Sequence, residues 1–338
     1  MDDNSPNVQV LIPTCNNADD IEETLRSVRE QDYKSENIFI TVMDFGSTDG
    51  TYEKLLAFPK FHLGVYQKGR ILRRKLWPSL LAQAVSYSGP AGGCLSLILY
   101  PGNVLYKNCL ARCAETLNRY RGEDISQVIC EADLKRDGQV VAQPPLFDLD
   151  RIMEGWNGMK EFVRRGYRHQ VQCVSNGFVQ RLYAPVYRND EMSEQRWWNK
   201  CAYSNIMNMS TAIYIREPLG CQKLVEYKDE LDDILRRWAF LPAVSRAYTA
   251  ALGKTIDEEF EPLGKRTLAE YAIWRSFLLS RKGPDFQKDA EDCFLISGVI
   301  DPEMKDRELY KTAERHLFQR DTASGTELEA YFEQNGMN

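Results

Sequence analysis

The chain has 338 residues, of which 43% are apolar and 27% charged, with a formal charge of -6. That length fits one large domain plus a smaller one, and that composition excludes a disordered chain. Net acidity supplies no overall field to gather nucleic acid, so no nucleic-acid partner is expected.

The first residues, MDDNSPNVQV, are acidic and carry no apolar run behind a basic segment, so no signal peptide is expected in them. Residues 8–13 (VQVLIP) predict a short buried parallel strand ending at proline. Asp19 and Asp20 precede a stretch that places Ile21, Leu25 and Val28 on one helical face. Its acidic first turn (Asp20, Glu22, Glu23) suits the helix dipole. A second strand is predicted over residues 38–43 (IFITVM), closed by the turn-rich run Asp44–Gly50, with another helix starting near Thr51. This alternation is the βαβ pattern of an open parallel sheet. Ligands of such sheets bind beyond the carboxyl ends of the strands, where both loops lie.

Arg70–Ser86 reads as a basic, then apolar, helix interrupted by Pro78. A Gly/Pro-rich turn over residues 89–93 leads into a strand over 94–100 (CLSLILY), and a further strand is predicted over 125–131. From about Glu226 the periodicity becomes helical, with Trp238, Phe240, Tyr271, Trp274 and Phe277 as packing residues. The expected division is 1–225 and 226–338. The nine cysteines are scattered and form no CxxC pair. That pattern points to reduced thiols in a cytoplasmic protein rather than a disulfide framework or zinc knuckle. The three histidines lack metal-ligand spacing.

Two segments carry a resemblance to a known family. Val10-Leu11-Ile12-Pro13-Thr14-Cys15-Asn16-Asn17 resembles the opening strand and loop (VIIPTYNE) of the family 2 glycosyltransferases. Val42–Thr51 resembles that family's second loop, VVDDGSTDGT. The resemblance implies an α/β nucleotide-diphospho-sugar transferase domain of the GT-A fold, here followed by a helical extension. It implies that Asp44 pairs with the uracil edge of a UDP-sugar, framed by Gly46 and Ser47. Pro13 and Thr14 would pack on base and ribose, with Asn16 and Asn17 beside them. A turn-stabilising role is the alternative for Asp44, because Asp ahead of Gly-Ser is a common turn former. Cys15, Asn17 and Phe45 depart from the family pattern, replacing an aromatic, a Glu and an Asp.

Gly69–Lys75 resembles the family segment G-x-x-x-A-R-N, in which an arginine faces the diphosphate. Arg74 is the positional match and Arg73 its neighbour; a solvated basic helix face is the alternative. The family's metal-binding DxD motif is expected after the strand 94–100, yet Tyr100-Pro101-Gly102-Asn103 stands there. Gly102 and Asn103 remain as donor-contacting candidates. No metal or other cofactor is expected, with Mg²⁺ or Mn²⁺ as the fallback. The acidic pairs Glu131-Ala132-Asp133 and Asp148-Leu149-Asp150 lie away from the matching point.

An inverting transferase needs a carboxylate to take the acceptor's proton. Ile213–Leu219 resembles the strand and Pro-Leu segment that follow the family's base, and counting back reaches Asp190–Trp198. Gln195 occupies the base position itself, so Glu194 is the candidate, with Glu191 second. Two functions stay open: a transferase using a nucleotide sugar, or a catalytically silent nucleotide-sugar-binding or scaffold relative. The acceptor, whether glycan, lipid-linked or protein, is not encoded in any motif. The C-terminal helices suggest self-association or peripheral membrane contact, the latter where Arg275, Arg281 and Lys282 flank Phe277-Leu278-Leu279.

Overall fold

The computed structural model describes residues 5–67, 94–120, 125–136, 138–154, 157, 160–161, 171–176, 211–223, 230–235, 237–238 and 258–335. The chain divides into two compact units, Met1–Met159 with Gln170–Leu224, and Lys160–His169 with Val225–Asn338.

The first unit is built on a mixed sheet. Strand β1 (Asn7–Thr14) is buried from Val8 onward, as expected for a strand covered on both faces. It pairs in parallel with β2 (Ile38–Asp44) on one side and β4 (Cys94–Ile98) on the other. β3 (Leu63–Gln67) extends the sheet beyond β2, again in parallel. Helix α1 (Ile21–Arg29) buries Ile21, Leu25 and Val28, and α2 spans Thr51–Ala57. The 3.6-residue spacing of α1 places those three side chains in one core with Val10, Ile12, Ile40 and Leu97. Burying Leu25 completely contributes about 1.5–3 kcal/mol.

Beyond β4 the sheet turns antiparallel. β9 (Val171–Asn176) runs against both β4 and β6 (Ile125–Arg136), and β10 (Thr211–Lys223) runs parallel to β6. The full order is β3-β2-β1-β4-β9-β6-β10-β5, with β5 at Val104–Leu105. Two short strands join off this path, β7 (Gln139–Val141) on β6 and β8 (Arg151–Met153) on β10. Helix α3 (Cys109–Arg119) follows β5.

β10 carries register shifts on both sides of Pro218, which has no N–H to give the ladder. Past that irregularity, Gly220 and Cys221 pair with Leu105 and Val104. A Cβ on Gly220 would lie 2.7 Å from the Val104 carbonyl oxygen, so glycine is what lets the two backbones approach. The end of β10 is thereby held beside the loop that leaves β4.

The second unit is helical. α4 (Phe260–Ser280), α5 (Gln287–Ile300), α6 (Glu308–Gln319) and α7 (Thr322–Gln334) make up its carboxyl-terminal part. α4 buries Phe260, Leu268, Tyr271, Trp274 and Phe277 on several faces, as a central helix does. The sequence-based idea of a membrane-binding patch on this helix is not supported. Phe277 and Leu279 are buried in the unit's core, while Arg275 pairs with Glu230 and Arg281 with Glu329. No described helix is long and apolar enough to cross a membrane.

Candidate active site

The register of the parallel strands decides where the site lies. Thr14 is the Cα partner of Asp44, so β1 and β2 end level and release their loops side by side. The Phe45 N–H donates to the Thr14 carbonyl at 2.9 Å, carrying the pairing one residue further.

The two loops then lock together through side chains. Asn16 sits in the left-handed region at φ 57°, which asparagine tolerates better than most residues. Its N–H donates to Ser47 Oγ at 2.9 Å, and its Oδ1 accepts the Thr48 N–H at 2.8 Å. The Asn17 N–H donates to Thr51 Oγ1 at 2.8 Å, and Asn17 Oδ1 accepts the Thr14 hydroxyl and the Cys15 N–H, both at 3.1 Å. Asp49 accepts the Ala18 N–H, the Thr51 N–H and the Thr51 hydroxyl. The hydroxyl bond from Thr51 is the first cause that holds the Asp49 carboxyl below its ordinary range. Lys54 closes the ring from α2 by donating to the Ala18 carbonyl at 2.7 Å.

Asp44 is fully buried at the mouth of this ring. Both its oxygens face the Ser47 N–H, and one also accepts the Ser47 hydroxyl. The turn-forming geometry that sequence alone allowed is therefore present. Gly46 supplies the positive φ of 81° that brings Ser47 back over Asp44. Pro13 and Thr14 are buried beneath the same loop junction.

Gly102 and Asn103 sit at the carboxyl end of β4, on the other side of β1. The Gly102 N–H donates to Thr24 Oγ1 at 2.9 Å, and the Thr24 hydroxyl donates to the Asn103 carbonyl at 3.0 Å. Asn103 Oδ1 accepts the Lys223 N–H at 2.9 Å. The Lys223 ammonium contacts both carboxylate oxygens of Asp20 at 2.9 and 2.7 Å, and the Asp20 N–H donates to the Asn17 carbonyl at 3.1 Å. The first turn of α1 thus links the Asp44 loop to the Gly102 loop.

Asp49, Thr51 and Lys54, which hold the loops in place, were not assigned from sequence, although two of them lie within the second motif. Asp20 and Lys223 were also missed, and nothing in the sequence pairs them. The candidates Arg73, Arg74, Glu191 and Glu194 lie outside the described residues.

The two off-pattern acidic pairs have structural partners. Glu131 accepts the Tyr214 hydroxyl and the Leu146 N–H, while Asp133 accepts the Tyr106 hydroxyl at 2.5 Å. Asp150 accepts the Arg216 N–H at 2.7 Å. Cysteines that look scattered in sequence do converge: Cys109 and Cys113, one turn apart on α3, meet Cys130 on β6 with their sulfurs within 4.8 Å of one another. All three are fully buried among aliphatic side chains of the core. Full burial among aliphatic neighbours suits them as small apolar fillers of the core.

Residues 9–76 match the profile of glycosyl transferase family 2. The fold is of the GT-A type, and the family likeness is confined to this amino-terminal segment. The matched region contains both interlocked loops, from Thr14 to Thr51. Among solved structures, S. aureus TarS 1-349 superposes with a TM-score of 0.58 at 16% identity, covering 97% of this chain and 91% of that one. The same protein in complex with UDP-GlcNAc gives a TM-score of 0.56 at 16% identity, covering 97% and 92%. At that identity the likeness establishes the fold. No curated protein matches this sequence.

Proposed function

We propose that this chain is an inverting family 2 glycosyltransferase that moves a sugar from a UDP-sugar to an acceptor hydroxyl without a divalent metal. The observation that carries the reading is the Asp44 carboxylate at the carboxyl end of β2, buried and ringed by loops that β1 and β2 hold level. A carboxylate offers about four lone-pair sites. Ser47 engages part of that capacity, and the remainder suits the imide N–H of a uracil ring. The solved structures of S. aureus TarS with UDP-GlcNAc and with UDP support a uridine donor.

The chemistry is a displacement at the anomeric carbon. The acceptor oxygen forms the new bond as its proton passes to a carboxylate. The bond to the diphosphate breaks with its electron pair on the departing phosphate oxygen. We assign the base to Glu194, with Glu191 second, and contacts to the diphosphate to Arg73 and Arg74. Residues 1–225 form the transferase domain in this reading, and 226–338 a helical region. We place the protein in the cytoplasm, in line with its cysteine usage.

The donor set after β4 fits a divalent ion poorly. By the family resemblance, Tyr100 and Gly102 stand where the two DxD carboxylates are expected, and Asn103 Oδ1 is engaged by the Lys223 N–H. Asp20, the carboxylate that approaches Gly102, is ion-paired with Lys223. The same substitutions favour the second reading, a catalytically silent binder of nucleotide sugar.

Calorimetric titration of UDP and UDP-GlcNAc, with and without Mn²⁺, tests the proposal on wild type and Asp44→Ala. Metal-independent UDP binding is expected, weakened about tenfold or more in the variant by loss of a charge-assisted hydrogen bond. Absence of binding to wild type under all conditions rejects the nucleotide-sugar site. Binding without any turnover of UDP-GlcNAc across glycan, lipid-linked and protein acceptors favours the silent reading.

A further inference from the structure

We infer that the Lys223 ammonium is the counter-charge to the donor's diphosphate, standing where a metal-bound aspartate would otherwise act, and that Asp20 holds it in the absence of ligand. This rests on the nucleotide-sugar reading of the site. The first argument is space. A Cβ placed on Gly102 would lie 2.6 Å from Lys223 Cδ and 3.2 Å from Lys223 Cβ. The aliphatic stem of Lys223 therefore occupies the volume that a side chain at position 102 needs, and an aspartate there and this lysine conformer exclude one another. Gly102 also takes φ 88°, a region unfavourable to any residue with a side chain.

The second argument is anchoring. Lys223 ends β10, whose close approach at Gly220 ties it to β5 and so to the loop bearing Gly102. Its own N–H is fixed on Asn103 Oδ1 at 2.9 Å. The backbone is held while the side chain retains the reach of a lysine.

The third argument is charge. Lys223 is about half exposed, at 48% of its side chain, and its partner Asp20 is 20% exposed. An ion pair open to solvent to this degree contributes little to stability, so exchanging its carboxylate for another anion costs little. A nucleoside diphosphate carries more negative charge than Asp20 and gains a further unit as the glycosidic bond breaks. An ammonium at hydrogen-bond range strengthens as that charge develops, and no proton needs to change hands.

Calorimetry with UDP and with uridine, in EDTA and separately with Mn²⁺, on wild type, Lys223→Met, Lys223→Arg and Asp20→Asn, tests the assignment. Lys223→Met is expected to weaken UDP about ten- to a hundredfold and leave uridine unchanged. Lys223→Arg should retain UDP affinity within a few-fold. Asp20→Asn, which removes the competing anion, should bind UDP at least as tightly as wild type. A purely structural ion pair would weaken both ligands alike, or neither. Wild-type affinity for UDP in Lys223→Met, or UDP binding that appears only with Mn²⁺ and ignores Lys223→Met, overturns the inference. Failure of wild type to bind either ligand, in EDTA or with Mn²⁺, instead removes the nucleotide reading beneath it.

Discussion

At the scale of single residues, the site depends on backbone positions that few side chains tolerate. Gly102 is the sharpest case, combining φ 88° with a neighbour that leaves no room for a Cβ. Gly102→Ala is expected to lower stability by about 1–2 kcal/mol from the left-handed backbone alone. It should also displace the Lys223 stem, so UDP affinity falls together with the urea midpoint. A Gly102→Ala protein with wild-type stability and UDP affinity would contradict this view of the loop. Asn16 shows the milder version, since its positive φ is offset by the two hydrogen bonds it makes to Ser47 and Thr48. Both positions are visible in the sequence only as identities. The φ values and the neighbour that gives them meaning come from contacts far along the chain.

At the scale of elements, end signals vary in how far they hold. Asp321 caps α7 by accepting the Ala323 and Ser324 N–H groups. The Ser324 hydroxyl is the first cause of the lowering of its carboxyl below the ordinary range. A lowered folded-state value means that the cap contributes fully above the unfolded pKa of about 3.9 and is lost as pH falls through the folded value. Asp321→Ala is therefore expected to melt below wild type at neutral pH, and the gap should narrow progressively as pH falls below the unfolded carboxyl value. An unchanged gap across that range, followed by circular dichroism, would show that the carboxylate charge is not what caps the helix. By contrast, α1 has no side-chain cap at Asp20. That carboxylate faces Lys223 instead, so a residue that reads as a dipole-favoured first-turn acid is committed to a tertiary ion pair.

At the scale of the molecule, each unit carries its own polar commitments. In the helical unit, Arg237 Nε lies 2.9 Å from the Asp233 carboxylate, with side chains only 8% and 1% exposed. The guanidinium also stacks 4.7 Å from the centre of the Tyr271 ring, whose hydroxyl is pushed up to about 12 by burial. Arg237→Met would leave Asp233 charged and buried without its cation, at a cost of about 3–5 kcal/mol. Thermal denaturation of wild type and variant checks this. A change within 1 kcal/mol would mean that water reaches Asp233 in the folded unit. In the sheet unit the comparable investment is the loop ring around Asp44, which the parallel register of β1 and β2 makes possible.

The sequence by itself determined the local part of this protein. Apolar runs marked β1, β2 and the start of β6, the 3.6-residue spacing of Ile21, Leu25 and Val28 marked α1, and the two motifs marked both loops. These depend on side-chain periodicity and turn chemistry within a dozen residues. The tertiary structure alone decided the rest. Lys223 reaches Asp20 across 203 positions of sequence because bulges at Pro218 and the bare Gly220 carry β10 to β5. Cys109, Cys113 and Cys130 meet because α3 lies on β6. α4 proved a central helix because residues on several of its faces are covered by neighbouring helices, an environment that its own periodicity does not contain. Register, bulges and helix packing are properties of pairs of distant segments, and no single stretch of the chain specifies them.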